Sequence, residues 1–328
     1  MPAPAPRARQ QGVALLTVLL LVAVMAVLVT SVLDDIRFGL RRATNAQAMA
    51  QARWHALGAE TLARAQIERL AAAGAGTVPA ERWNGRPMVF PTGDGLVQAQ
   101  LDDASTCFNL NSVVEGAGEL WQRREAGARQ FGMLLRELGV PAHRSAALVD
   151  ALVDWIDTDA VPGSNGAEDS YYALRAPAYR TAGALLAETS ELRAVAGFDA
   201  ELYESLRPYI CALPIDARSP VNLNALDADH AVLLVALTDG ALSAPAARRL
   251  LQSRPRAGWP DIATLRAEPV LAALGLPDAV FTGIELKPHY FALQTRVEHG
   301  GAQFVSSALF ELAAGRARLV ARRWTLPE

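Results

Sequence analysis

Residues 12–33 form one unbroken apolar run, GVALLTVLLLVAVMAVLVTSVL, with no charged side chain. A helix needs about 20 such residues to cross a bilayer, and this run reaches that length. A cleavable secretory segment has a shorter apolar stretch, about 7–15 residues, closed by a small-residue cleavage site. The residues that follow here, VTSVLDD, offer none. Beyond the run the pattern changes without stopping. Ile36, Leu40, Ala43, Ala50, Trp54 and Leu57 recur at helical spacing, roughly continued by Leu62 and Leu70, between Arg, Gln, Asn and Glu. That is an amphipathic helix contiguous with the apolar one. No proline interrupts it before Pro79. One helix is therefore expected over residues 13–73, about 60 residues and about 90 Å long at 1.5 Å per residue. Gly39 and Gly58 are its soft points. Its first half suits a membrane or filament core, and its second half should dock on the chain's own body.

Residues 74–91 are rich in breakers and read as a junction. Residues 96–101 (LVQAQL) then read as a short strand. Three more strands are expected near the end, over residues 290–297, 303–312 and 317–325, separated by turns at His299-Gly300-Gly301 and Gly315-Arg316. One strand before residue 105 and three after 288 make a single sheet only if everything between them is an insertion. That stretch, residues 107–287, reads as helical and as two copies of one unit. Asn109-Leu110-Asn111-Ser112 opens the first copy and Asn222-Leu223-Asn224-Ala225 opens the second. LLREL at 134–138 parallels LLVAL at 233–237, and ELRAVAG at 191–197 parallels the segment from Glu268 to Gly275. Repeats too short to bury their own faces pack on each other. The asparagines are expected as cap or turn formers. The first copy is longer, with its excess between Trp155 and Leu185, where the second has only SRPRAGWPDI.

A chain of 328 residues implies two or more folded units. The hydrophobic fraction is 51% and the mean hydropathy +0.14, yet no second run approaches membrane length, so the remaining apolar residues belong in ordinary cores. A net charge of -3 and a pI near 6.0 argue against a general nucleic-acid surface. Arg7 and Arg9 precede the apolar run, while Arg37, Arg41 and Arg42 follow it, so charge does not orient the span. The two cysteines, Cys107 and Cys211, read as one disulfide if the body is exported, with two buried free thiols as the alternative. A bridge would close a loop of about a hundred residues, worth up to about 4.7 kcal/mol in the chain-entropy model.

The excess in the first copy carries the chemistry. Asp150, Asp154, Asp157, Asp159, Glu168 and Asp169 crowd into one block without an intervening Lys or Arg. Carboxylates this dense repel unless a cation sits among them. Pro162, Gly163 and Gly166 let the loop turn and present backbone carbonyls. Hard oxygen donors on such a loop suit Ca²⁺, which takes about 6–8 of them. A solvated acidic loop, or an acid-rich helix start, explains the same composition. An EF-hand is rejected because its fifth position is Val161. A pair of catalytic carboxylates lacks a nucleophile and a sugar cleft. The five histidines are scattered without metal-ligand spacing, and no nucleotide or nucleophile motif is present. Nothing here specifies an enzyme. The segment LLVALTDGALSAPAARRLLQSR resembles a helix-hairpin-helix, whose turn amides can face phosphate. Its turn holds one glycine and an acid, and a fold-level likeness is not a binding site.

RQQGVALLTVLLLVAVMAVL resembles a type IV prepilin leader. Together with FNLNSVV, the DALVDWIDTD…GAEDSYY block, SELRAV, VNLNAL and the terminal strands, the chain resembles the minor pseudopilin K family of bacterial type II secretion over nearly its whole length. The resemblance implies an α+β, type IV pilin-like fold: a long N-terminal transmembrane helix packed on an antiparallel sheet, with a large helical insertion of two related subdomains. The expected division is a leader at 1–12, a long helix at 13–75 (transmembrane 13–33), sheet at 76–106 and 288–328, a first helical subdomain at 107–213 with the acidic calcium-type loop, and a second at 214–287. It implies cleavage by prepilin peptidase after Gly12 and methylation at Val13, which stands where major subunits carry Phe. It implies calcium on the acidic block, with Asp157, Asp159, Glu168 and Asp169 as candidate ligands. It implies a single-pass inner-membrane protein with a periplasmic body. The partners it implies are minor pseudopilins I and J at the pseudopilus tip, the major pseudopilin and the assembly platform. Pilin-like subunits usually carry Glu five residues after the cut, where it neutralises a neighbour's terminal amine. Here that residue is Thr17. A buried unpaired charge is costly, so this chain suits an end of the filament better than its middle. The alternative from another class is a membrane-anchored DNA-binding protein of an uptake system, acting through the hairpin-like repeat.

Overall fold

The computed structural model describes residues 11–73, 82–118, 120–216 and 218–325. Arg7, Arg9 and the rest of the expected leader up to residue 10 lie outside the described residues. Helix α1 runs unbroken over Gln11–Ala72. Residues 13–47 are exposed throughout. From there one face is buried, and of the expected stripe it takes in Leu70 but not Trp54 or Leu62. Ala52, Ala56, Ala59, Ala63, Ile67 and Leu70 meet the sheet, whereas Trp54 is 69% and Leu62 54% exposed, and Ile36 and Leu40 point outward. Both stripes have helical period. The alanine stripe wins because a helix seats closest on a sheet through small side chains, and the sheet already supplies the bulk with Phe291, Leu293, Val297 and Phe310. Glu60 is buried beside this stripe and takes a bidentate pair from Arg322, at 2.8 and 2.6 Å.

Strands β1 (Arg86–Thr92) and β2 (Gly95–Asp103) follow. β1 was hidden in the breaker-rich junction by Pro87 and Pro91. It is an edge strand, where proline's missing N–H is tolerated. The first helical unit comes next: β3 (Phe108–Asn109), β4 (Val114–Ala117), β5 (Leu120–Arg123), α2 (Glu125–Glu137), α3 (Ala142–Ile156), α4 (Asp169–Tyr172), α5 (Ala200–Leu206) and β6 (Ile210–Cys211). The second unit holds β7 (Val221–Asn222), α6 (Val232–Leu237), α7 (Ala244–Gln252), α8 (Ile262–Arg266), α9 (Pro269–Ala272), α10 (Asp278–Phe281) and β8 (Ile284–Glu285). The chain then re-enters the sheet as β9 (Tyr290–His299), β10 (Ala302–Ala313) and β11 (Arg316–Arg323). The sheet order is β1-β2-β9-β10-β11, antiparallel throughout, and β2 pairs directly with β9 from Gly95↔His299 to Asp103↔Phe291. The insertion thus leaves and returns between two neighbouring strands.

Each unit is closed by its own ends. β3 pairs in parallel with β6, and β7 in parallel with β8. Cys107 and Cys211 are bonded at the first of these closures, with their Cα atoms 5.7 Å apart. The repeated asparagines do more than cap. Asn111 accepts from the Leu186 amide (2.8 Å) and donates to the Leu186 and Leu213 carbonyls (3.0 and 2.9 Å). Asn224 makes the same set with Trp259 and Leu286, at 2.8, 2.9 and 3.0 Å. The preceding asparagines, Asn109 and Asn222, accept from the amides two residues on, which turns the chain inward.

The units share one core, and α2 packs across α6. This sets α2 beside the hairpin turn that the DNA-binding alternative needs, a turn that is exposed except at Leu242. The amides of Asp239, Gly240 and Ala241 bond to carbonyls of α6 and its last turn, and that of Leu242 to the Thr238 hydroxyl. Gly240 has φ +80° and lies beneath Met133 of α2, while Asp239 faces Arg129 at 3.5 Å. Arg254 donates to the Leu223 and Leu226 carbonyls, both at 2.7 Å. No free amide remains among these four to meet a phosphate.

Candidate metal centre

The acidic block runs from α3 through the loop after it to the start of α4, and the fold sorts five of its six acids into two kinds and turns Asp169 elsewhere. Asp150 and Asp154 face the loop from α3. Asp150 takes Arg123 of β5 at 2.8 Å and the Asn165 amide at 3.1 Å. The chain nearest in sequence is free of basic residues, but the β5 hairpin delivers one from 27 residues away. Asp154 accepts the Gly163 amide at 3.1 Å. A Cβ on Gly166 would stand 1.9 Å from an Asp154 oxygen, so a larger residue there would have to push that carboxylate aside. Burial pushes the Asp154 carboxyl up, against the pull of the Gly163 and Ala167 amides.

The second kind is Asp157, Asp159 and Glu168. Each offers a carboxylate oxygen within 4.8 Å of the others. Thr158 sets the first two: its amide donates to the Trp121 carbonyl (3.1 Å), and its hydroxyl oxygen accepts from the Trp121 amide (3.1 Å). Asp157 and Asp159 flank that anchored residue. The Ala182 and Gly183 amides both bond to the Trp155 carbonyl at 3.1 Å, which ties the loop's far end to the same place. Glu168 stands just before α4, with the Tyr171 amide on its carbonyl at 2.8 Å. Asp157 and Glu168 are buried, and Oδ1 of the first and Oε1 of the second have no hydrogen-bond partner. Burial, then the neighbouring carboxylates, push Asp157 up to about 7; burial, then Asp154, push Glu168 up to about 7. Asp159 is exposed and accepts the Val161 amide at 2.7 Å.

Two buried carboxyls with orphaned oxygens beside a third are strained as anions unless a cation shares the space. All three donors are hard oxygens, with no sulfur or imidazole among them. This set fits Ca²⁺ and not zinc. The structure thus brings three of the four candidate ligands together. Asp169 is engaged elsewhere: its Oδ1 accepts the amide and hydroxyl of Thr181 at 3.0 and 3.1 Å, and Arg180 lies 3.8 Å away. In sequence nothing separates it from Glu168; the start of α4 turns their side chains apart.

The other singled-out residues lie far along the chain. Gly12 and Val13 are in the first turn of α1. Thr17 is exposed and its hydroxyl donates to the Ala14 carbonyl at 2.9 Å, with no acid in its place.

Models of the family described as "Type II secretion system (T2SS), protein K" match residues 106–215 and 221–284. Their break falls between β6 and β7. The type II secretion system protein K of Pectobacterium carotovorum subsp. carotovorum is 35% identical, over 97% of this chain and 97% of its own length. That of Klebsiella pneumoniae is 41% identical, over 80% of this chain and 81% of its own. A crystal structure of the GspK–GspI–GspJ complex from enterotoxigenic Escherichia coli contains a chain that superposes with a TM-score of 0.75 at 30% identity, covering 87% of this chain and 99% of that one.

Proposed function

We propose that this chain, which belongs to the type II secretion system protein K family, starts or caps the pseudopilus and thereby supports export of folded proteins across the outer membrane. The single observation that carries the reading is α1: 62 residues of continuous helix, exposed over its apolar half and seated on its own sheet over the rest. Such a helix waits in a membrane and then packs against others in a filament. It is the one helix among the described residues long and apolar enough to span. Two features support an end position. Thr17 supplies no carboxylate for a neighbour's terminal amine, and the helical insertion between β2 and β9 adds bulk that repeated stacking would have to accommodate. The partners are minor pseudopilins of the I and J kinds, by analogy with the solved complex of a relative. The major pseudopilin and the inner-membrane assembly platform follow from the same role. Prepilin peptidase cuts after Gly12, Val13 becomes the methylated N-terminus, and the body lies in the periplasm. The chain acts by assembly and not by catalysis.

The same reading places Ca²⁺ on Asp157, Asp159 and Glu168. When bound, the ion supplies the positive charge that lets these carboxyls ionise while buried. The protein's part is to hold them: Thr158 on Trp121, Gly163 and Gly166 against Asp154, and Arg123 on Asp150.

Co-expression of the full chain with I- and J-type partners and a prepilin peptidase tests the proposal. A ternary complex should co-purify, and mass spectrometry should find an N-terminus at a methylated Val13. Failure to form the complex, or an uncut chain, would overturn it.

A further inference from the structure

A cleft of about 520 Å³ follows the seam between the first helical unit and the sheet. Three arginines reach it from three elements: Arg207 from the turn after α5, Arg296 from β9 and Arg323 from β11. The acid among its lining residues is Glu188, 3.1 Å from Arg323. Arg323 also donates to the Ala187 carbonyl, so it is spent on holding the seam together. The other two are not so committed. Arg207 has an exposed pair at 3.6 Å with Glu204, one helical turn away. The Arg296 side chain makes no hydrogen bond or ion pair among the described residues, and the residue is exposed. Its neighbours Thr295 and Val297 are buried on the α1 side, so Arg296 points to the opposite face, between Gln98 of β2 and Val305 of β10.

The chain as a whole is negative, at -3, so this cleft reverses the local sign. Guanidinium groups are planar forks that match carboxylates. Clefts for small molecules are mostly apolar and enclosing. This one is floored by Thr189, Ser190 and Gln294, which offer further hydrogen bonds to a peptide. We propose that the seam cleft receives an acidic segment of a partner protein, with Asp or Glu carboxylates pairing to Arg207 and Arg296. A segment bound there touches the sheet and the first helical unit at once, and so fixes their relative position. The site stands apart from the acidic loop and from the exposed half of α1, and it does not depend on which subunit supplies the segment.

The test uses the full chain in detergent and a fluorescein-labelled peptide of alternating Glu and Ser, read by fluorescence anisotropy. Binding should weaken steeply with added salt. R207E and R296E should each weaken it by about tenfold, because each replaces an attraction with a repulsion. R256E, on the second unit, should leave it unchanged. Both substituted arginines are partly or fully exposed, so far-ultraviolet circular dichroism should match the parent. No binding by the parent chain, or equal loss with R256E, overturns the proposal. An oligonucleotide of equal charge that binds as tightly, with the same sensitivity to R296E, overturns it in favour of a general polyanion surface.

Discussion

The two helical units are built on one frame and fill it differently. Both close with a parallel two-residue ladder, and both use an asparagine to bind one chain segment by its amide and carbonyl and a second by its carbonyl. The residue held by that clamp is Leu186 in the first unit and Trp259 in the second. In the second unit the space beside it is filled by the tryptophan itself, 1% exposed, with its indole N–H on Glu268 at 2.8 Å. The link leading to it is short. In the first unit a long acidic loop arrives at the same clamp, and its inner surface carries Asp157 and Glu168 with unpartnered oxygens. The second unit is complete as a polypeptide. The first has all its walls but leaves like charges facing each other. Where one copy uses an aromatic anchor, the other carries a cluster of three carboxylates.

This difference is broken most strongly by W259A. Removing a fully buried tryptophan costs about 3–5 kcal/mol, and the loss in the full chain's melting temperature should be the same with calcium or with chelator. If the W259A loss depends on calcium, the two units are not independent solutions.

Calcium removal should act on the first unit alone. At free calcium a hundredfold above the dissociation constant, a ligand bound only to the folded state adds about 2.7 kcal/mol. Chelation should therefore lower the melting temperature and D157N should abolish the shift, while D169N, whose carboxylate serves Thr181, should retain it. Terbium titration gives a direct readout, because Trp155 lies two residues from Asp157 and can sensitise a bound lanthanide. No sensitised emission, or emission that survives D157N, would count against the site.

The clamps test what the units share. N111A removes three buried hydrogen bonds and N224A three part-buried ones, and each leaves backbone groups unsatisfied. Each should cost about 2–3 kcal/mol by denaturant unfolding, and the two should agree more closely than either agrees with a surface Asn→Ala change. A large loss at one site only would mean that the shared motif is not a shared mechanism.

Much of this comparison is legible in the residues. The apolar run, the three C-terminal strands, the two Asn-Leu-Asn openings and the acidic block all appear as local patterns, and local patterns survive folding. Three things were not legible, each for a physical reason. β1 carries Pro87 and Pro91, which read as breakers unless the strand is known to lie at an edge. The docking face of α1 is made of alanines, and a periodicity weighted by size follows Trp54 and Leu62 to the wrong side. Arg123 joins the acidic block through β5, a contact set by tertiary structure alone. Asp169 shows the converse: adjacent acids look equivalent in sequence, and a single helical turn separates their roles.

The smallest predicted effect is also the most specific, because its sign changes. Asp157 and Glu168 titrate near 7 in the fold, against about 3.9 and 4.3 when unfolded. Below about pH 4 both states are protonated, and the cluster costs nothing. As pH rises through the window from about 4 to about 7, the unfolded chain loses its protons first while the folded chain still holds them. Stability without calcium must then fall across the window. Asp103, raised to about 6 by burial at the end of β2, adds a slope of the same sign that calcium does not touch. D157N separates the two. With chelator at pH 8, D157N should be more stable than the parent, since it removes an anion that has no partner. With calcium at the same pH it should be less stable, since the ion needs ionised carboxylates and binds better as they lose protons. Melting curves of the two proteins, with and without calcium, should therefore cross in order. If D157N is the less stable protein under both conditions, Asp157 is an ordinary structural carboxylate, and the contrast between the two units reduces to loop length.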